Sequence, residues 1–179
     1  MENRNLKGLP EKSALYIMSQ LFSTIKYCHD NQVVHLDLKL ENVMINESTG
    51  FIKLIDFGLC DFINGRGDLF TRIHGSEDYL PAEMIKHPEQ PYSGTKADVW
   101  CLGIILYGLM SGSFPFNPIG RRKSINLGEP HPTPKFYFKC SKKLKDLLNK
   151  MLEPTPTLRI SIDEILKHPW MKQKSKWSL

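Results

Sequence analysis

The sequence predicts a mainly α domain with one small β-hairpin, and three patterns carry that expectation. Apolar residues recur at spacings of three and four over long stretches, a capping box announces a last helix, and two β-prone runs flank a turn-rich link. A chain of 179 residues suits one domain with its own core, because a domain of that size buries roughly 70% of the surface its unfolded form exposes.

From Pro10 to Asp30 the residues Ala14, Ile17, Met18, Leu21, Phe22, Ile25 and Cys28 share one helical face. Pro10 fits the first turn, since it lacks an N–H that a helix start would leave unpaired. Short β-prone runs follow at Val33-Val34, Val43 to Ile45 and Phe51 to Ile55, and the turn formers Asn46 to Gly50 join the last two into a hairpin. Residues 59 to 94 scatter Gly, Asp, Asn and Pro without periodicity, which predicts a long loop of the functional kind. A buried helix is expected from Lys96 to Met110. The uncharged stretch Val99 to Gly120 is long enough to cross a bilayer, but Ser111, Gly112, Ser113, Pro115 and Pro118 break its second half and favour a core helix plus a loop. Five prolines and two glycines between Pro115 and Pro134 permit only a short helix there. Leu144, Leu147, Leu148 and Met151 mark another amphipathic helix over Lys142 to Leu152. Ser161 and Glu164 form the capping box of a last helix that ends near His168-Pro169. Beyond it, the lysine-rich tail with Trp170 and Trp177 reads as a solvated helix end rather than a calmodulin-target or membrane-surface helix.

The totals favour a soluble, reduced protein. Hydrophobic residues make up 41% and charged residues 24%, an ordinary globular balance. Cys28, Cys60, Cys101 and Cys140 lie far apart, with neither zinc-like nor disulfide-framework spacing, and the N-terminal MENRNLKGLP has no apolar run of secretory type. An intracellular chain, cytoplasmic or nuclear, is the expectation. The net charge of +5 is dispersed, with only short basic groups at Arg121 to Lys123 and Lys172 to Lys176, which favours a solvated surface over nucleic acid or membrane partners.

The informative segment reads HLDLKLEN from His35 to Asn42, and Asp56-Phe57-Gly58 begins fourteen residues after Asn42. Here the chain resembles the protein kinase family, whose catalytic loop has His, Asp, Lys and Asn at this spacing and whose Asp-Phe-Gly follows after a hairpin of this length. Phosphoryl transfer asks the protein for positioned groups, neutralised phosphate charge and an acceptor for the hydroxyl proton. A carboxylate on a rigid loop, Asp37, can orient a hydroxyl and take its proton, while Lys39 can set a cation on the γ-phosphate. Mg²⁺ prefers oxygen ligands, and Asn42 and Asp56 offer a carbonyl oxygen and a carboxylate from the two ends of one hairpin. Strand alternation turns Met44 the same way as Asn42, and the resemblance makes it the floor under the adenine of ATP.

The resemblance continues to the end of the chain. Gly75 to Glu83, GSEDYLPAE, stands where kinases end their activation loop in Ala-Pro-Glu, although here the order is Pro81-Ala82-Glu83. It implies that Glu83 pairs with Arg159, that Asp98 caps the central helix and hydrogen-bonds the catalytic loop, and that His168-Pro169-Trp170 ends the last helix. Lys39, and Ser76 where Thr is usual, favour Ser/Thr acceptors over Tyr. The details look most like the calcium/calmodulin- and AMP-dependent kinase group. Glu77 and Asp78 hint at basic residues in the protein substrate.

Two departures matter. Leu36 replaces the arginine that clamps a phosphorylated activation loop in many kinases, and Arg72 stands where the phosphorylated threonine of the AMP-dependent group belongs, with Thr71 one residue off. That pairing predicts a loop not switched by phosphate. Before about Leu6 there is no room for the Gly-rich phosphate loop, the β-strand lysine or its glutamate, so the resemblance implies the C-terminal lobe alone, over residues 1–171, with a short basic tail at 172–179. Two functions follow: a Ser/Thr protein kinase whose N-terminal lobe is encoded upstream or supplied by a regulatory partner, or a reduced lobe that binds proteins without catalysis. The four polar groups Asp37, Lys39, Asn42 and Asp56 favour the enzyme, since a scaffold has no physical need for them in one cleft.

Overall fold

The computed structural model describes residues 8–64, 67–73, 75–117, 120, 131–175 and 177. The basic group at Arg121 to Lys123, most of the proline-rich stretch after Pro115, and Leu6 lie outside the described residues. Helix α1 spans Glu11–Asp30 and begins directly after Pro10. Strand β1 (Val33–Val34) follows, then a 3-10 turn at Leu40–Asn42 that feeds β2 (Val43–Ile45) and, across the expected hairpin, β3 (Ile52–Leu54). The register of that hairpin sets Val43 opposite Leu54 and Ile45 opposite Ile52.

The segment read as a long loop contains more order than its composition suggests. Strand β4 (Asp61–Phe62) pairs antiparallel with β1, and β5 (Leu69–Phe70) pairs antiparallel with β6 (Tyr92–Ser93). Between them lie a 3-10 turn at Glu77–Tyr79 and the short helix α2 (Ala82–Lys86). Two-residue strands have no legible period, and each forms only because a distant partner is presented to it.

Helix α3 spans Gly94–Ser111 and is buried on nearly every side, as its apolar sequence requires. It starts two residues earlier than the apolar pattern, because Ser93 caps it by accepting Lys96 N–H at 3.3 Å. It stops at Gly112, whose left-handed φ of 69° suits glycine. Asp98 therefore lies inside the helix and does not cap it, which corrects that expectation. Helix α1 packs on α3, and so does α4 (Lys142–Met151), while α5 (Ile162–Lys167) packs on α1. Among the described residues no helix is long and apolar enough to cross a membrane.

The capping box is present: Ser161 N–H donates to Glu164 Oε2 at 2.8 Å, and Glu164 N–H donates to Ser161 Oγ at 3.3 Å. Glu11 ties three elements together by accepting from Ser141, the N-cap of α4, and from Trp170 Nε1 at 2.9 Å. The tail differs from a solvated helix end. Trp170 is fully buried, and Trp177 donates through Nε1 to the Glu47 carbonyl at 2.9 Å and lays its ring over Gly50 in the hairpin turn. Indole rings bury large apolar areas and so leave water where a groove is at hand, whereas Lys172 and Lys174 remain exposed.

Arg159 and Glu83 form the expected pair. Two parallel bonds of 2.8 and 2.7 Å join them, and Arg159 also donates to the Glu153 and Lys96 carbonyls and stacks over Trp100. With the arginine side chain fully buried, removing either partner strands a charge. Arg159→Met is expected to lower the unfolding free energy by about 3 to 5 kcal/mol in urea titration. A loss below about 1 kcal/mol would place the pair with ordinary surface bridges instead.

Candidate active site

The site is assembled on α3. The Asp98 carboxylate, fully buried, accepts the backbone N–H groups of His35 and Leu36 at 3.0 Å each and faces His29 Nε2 at 2.9 Å. Those bonds hold the turn that precedes Asp37 in a conformation it would not adopt alone. Leu36 sits at φ 62°, a left-handed geometry that costs an ordinary side chain roughly 1–2 kcal/mol. Strain of this kind persists only where the surroundings over-determine it.

Asp37 is buried. Lys39 Nζ donates to Asp37 Oδ2 at 2.7 Å and to Ser76 Oγ at 3.3 Å, and Ser76 Oγ lies 3.5 Å from Asp37 Oδ1. The bond to Asp37 raises the Lys39 pKa, so the ammonium stays charged. Asn42 donates through Nδ2 to the Asp37 carbonyl at 2.9 Å, which turns its Oδ1 away, and among the described residues no donor reaches that oxygen. The hairpin brings Asp56 alongside, since Ile55 N–H donates to the Asn42 carbonyl at 2.9 Å. Asp56 also has a left-handed φ of 62°, which aspartate tolerates better than most residues, and its Oδ1 accepts Gly58 N–H at 3.2 Å. Phe57 rests on the His35 ring, with centroids 4.8 Å apart, and so joins the Asp56 segment to the turn that precedes Asp37.

Asp37, Lys39, Asn42 and Asp56 thus converge on one edge of the domain. Met44 lies on the same hairpin but not for the expected reason. Asn42 belongs to a 3-10 turn, so strand alternation begins only at Val43, and Met44 is 56% exposed where Asn42 is buried. Three further contributors lie outside the roles that the motif suggests. Tyr79 Oη accepts the Leu40 N–H at 3.1 Å and donates to Glu41, bracing the loop from the Gly75 to Glu83 segment. Ser76, which the sequence marks only for acceptor preference, touches both Asp37 and Lys39. His29 contributes the side-chain partner of Asp98, and its place at the end of α1 carries no sequence signal.

The donor chemistry fits a hard divalent ion. Among the described residues no group of three or more His, Cys, Asp or Glu side chains is placed to hold a metal. An amide oxygen and one carboxylate leave most of the coordination sphere to phosphate and water, which is how Mg²⁺ is usually bound with nucleotides.

Burial pushes the His35 imidazole below its ordinary value of 6.5, against the smaller upward pull of Asp98. The unfolded chain therefore takes up a proton near that value while the folded one does not. Stability is full above about pH 6.5 and falls on acidification toward the depressed folded value. In melts between pH 5 and 8, wild type should lose up to about 1.4 kcal/mol more per pH unit below 6.5 than His35→Phe. Parallel profiles would refute the assignment.

The family model described as the protein kinase domain matches residues 2–171. The chain is 34% identical, over 92% of its length, to testis-specific serine/threonine-protein kinase 5 of Mus musculus, and 38% identical, over 91%, to protein kinase kin1 of Schizosaccharomyces pombe. It is also 37% identical, over 94%, to CBL-interacting protein kinase 31 of Oryza sativa subsp. japonica. The matches cover 43%, 18% and 37% of those three proteins, so the chain spans less than half the length of each. With the catalytic-loop residues, the Asp-Phe-Gly segment and the Glu83–Arg159 pair in one framework, and the family model covering nearly all of it, this chain belongs to the protein kinase family.

Proposed function

We propose that this chain is the larger lobe of a serine/threonine protein kinase that transfers the γ-phosphoryl group of ATP to protein hydroxyls. The observation that carries the reading is the convergence of Asp37, Lys39, Asn42 and Asp56 on one hairpin-bearing edge, where Asn42 Oδ1 and Asp56 Oδ2 meet no donor among the described residues. Bound Mg²⁺-ATP supplies the transferable phosphoryl group and the divalent charge that neutralises it. Asn42 Oδ1 and Asp56 would hold the ion. Asp37 orients the acceptor hydroxyl and takes its proton, and Lys39, already within reach of Asp37 and Ser76, sets its ammonium against the oxygens that gain charge. Ser76, whose hydroxyl lies between the two, brings the segment around Glu77 and Asp78 to the acceptor side and favours substrates with basic residues near the acceptor.

Met44, Ile55, Phe57 and Leu59 are all between 38% and 56% exposed around Asp56. Apolar side chains gathered beside a polar centre mark a surface meant to be covered. We assign that cover to the adenine ring and to a smaller lobe carried elsewhere in the polypeptide or by a partner. The intact polar set argues against a purely protein-binding role.

In a complete kinase containing this chain, Asp37→Asn is expected to lower kcat on a basic peptide by about 10²- to 10⁴-fold with little change in KM for ATP. Unchanged turnover would remove Asp37 from the chemistry and with it the proposed reaction.

A further inference from the structure

Leu36 carries no charge and is buried in a small apolar cluster with Val34, Phe70, Met84, Tyr92 and Ala97, so the segment that follows Asp56 must be held in place by something other than an arginine at that position. Asp68 gives it a polar anchor. The Asp68 carboxylate accepts Thr95 N–H at 3.0 Å through Oδ1, Thr95 Oγ1 at 2.5 Å through Oδ2, and the Ser93 hydroxyl. Its carbonyl lies 3.3 Å from Gly94 N–H. These donors belong to the cap and first turn of α3, where backbone N–H groups lack intrahelical partners and the helix dipole favours an anion.

The consequences run in both directions along the chain. Immediately after Asp68, Leu69 and Phe70 pair with Ser93 and Tyr92. Phe70 closes onto Gly94 so tightly that a Cβ there would lie 2.6 Å from the ring, which is why that position has no side chain. Tyr92 Oη donates to the Arg72 carbonyl at 2.8 Å. One turn farther along α3, Asp98 holds the N–H groups of His35 and Leu36. Farther along the segment, a Cβ on Gly75 would lie 3.0 Å from the Leu36 carbonyl, and Ser76 reaches Asp37 and Lys39. Two carboxylates, Asp68 at Thr95 and Asp98 one turn on, thus register both halves of the site to one helix.

We infer that Asp68 is a positioning residue, a side-chain carboxylate that seats the segment carrying Ser76 against the catalytic loop without a phosphate. The inference rests on the phosphotransfer reading for its purpose, but its geometry does not depend on turnover.

The test is hydrogen exchange on the complete polypeptide, with Asp68→Ala, Asp68→Glu and Thr95→Val beside wild type. Loss of charge-assisted bonds predicts about tenfold or faster exchange at Leu69–Ile73 in Asp68→Ala, with partial recovery in Asp68→Glu and no change in α4. Should Asp68→Ala loosen α4 as well, Thr95→Val decides, since it removes one donor and is expected to speed exchange at Leu69–Ile73 alone. Peptide KM should rise several-fold in Asp68→Ala while KM for ATP stays, a split that loss of fold would not produce. Phosphatase treatment of wild type should leave exchange at Leu69–Ile73 as it was. Unchanged exchange in Asp68→Ala, or loosening by phosphatase as large as that of Asp68→Ala, would overturn the inference. Absence of any peptide phosphorylation by wild type, with exchange as expected, would count against the phosphotransfer reading and leave the anchor standing.

Discussion

The arrangement depends on one buried carboxylate. Asp98 has no contact with water, and a charge in that position is tolerable only if its oxygens are fully engaged. His29, His35 N–H and Leu36 N–H engage them, and in doing so they fix the direction in which the chain enters Asp37. The left-handed backbone at Leu36 follows from those bonds rather than from any preference of leucine. Once that turn is set, Lys39 falls back on Asp37, Asn42 hangs from the Asp37 carbonyl, and the hairpin leads from Asn42 to Asp56.

Helix α3 can serve as that frame because the rest of the domain is packed around it. Apolar side chains cover it from α1 and α4, and a buried ion pair, Arg159 with Glu83, locks α2 to the chain ahead of α5. Glu11 links α1, α4 and Trp170 through hydrogen bonds, so the helices cannot slide without breaking charge-assisted contacts. The hairpin that links Asn42 to Asp56 is pinned at its far end as well. Gln20 bonds the Gly50 carbonyl and Ile52 N–H, and the Trp177 ring occupies the space a side chain at position 50 would need.

What the sequence disclosed is what short-range physics determines. The period of apolar residues marked α1 and α4, the uncharged apolar run with its Ser, Gly and Pro breakers marked α3, each to within a few residues, and Ser161 with Glu164 marked α5 because a capping box is a local device. The catalytic-loop spacing brought Asp37, Lys39, Asn42 and Asp56 to attention together. Long-range pairings were not legible. The β1–β4 and β5–β6 ribbons join Val33 to Phe62 and Leu69 to Ser93, partners distant in the chain that meet only once the core has formed. Alternation failed at Met44 because a 3-10 turn shifted the phase, and Asp68, one aspartate among several in a stretch without periodicity, acquires meaning only when α3 is brought to it.

The most direct test is whether Asn42 and Asp56 share one ion. In the complete kinase with ATP, Mn²⁺ substituted for Mg²⁺ should broaden the NMR signals of Asn42 and Asp56 at the same low occupancy while leaving α4 sharp. Broadening at one of the two without the other, or at neither, would contradict the account of a single phosphate-handling edge.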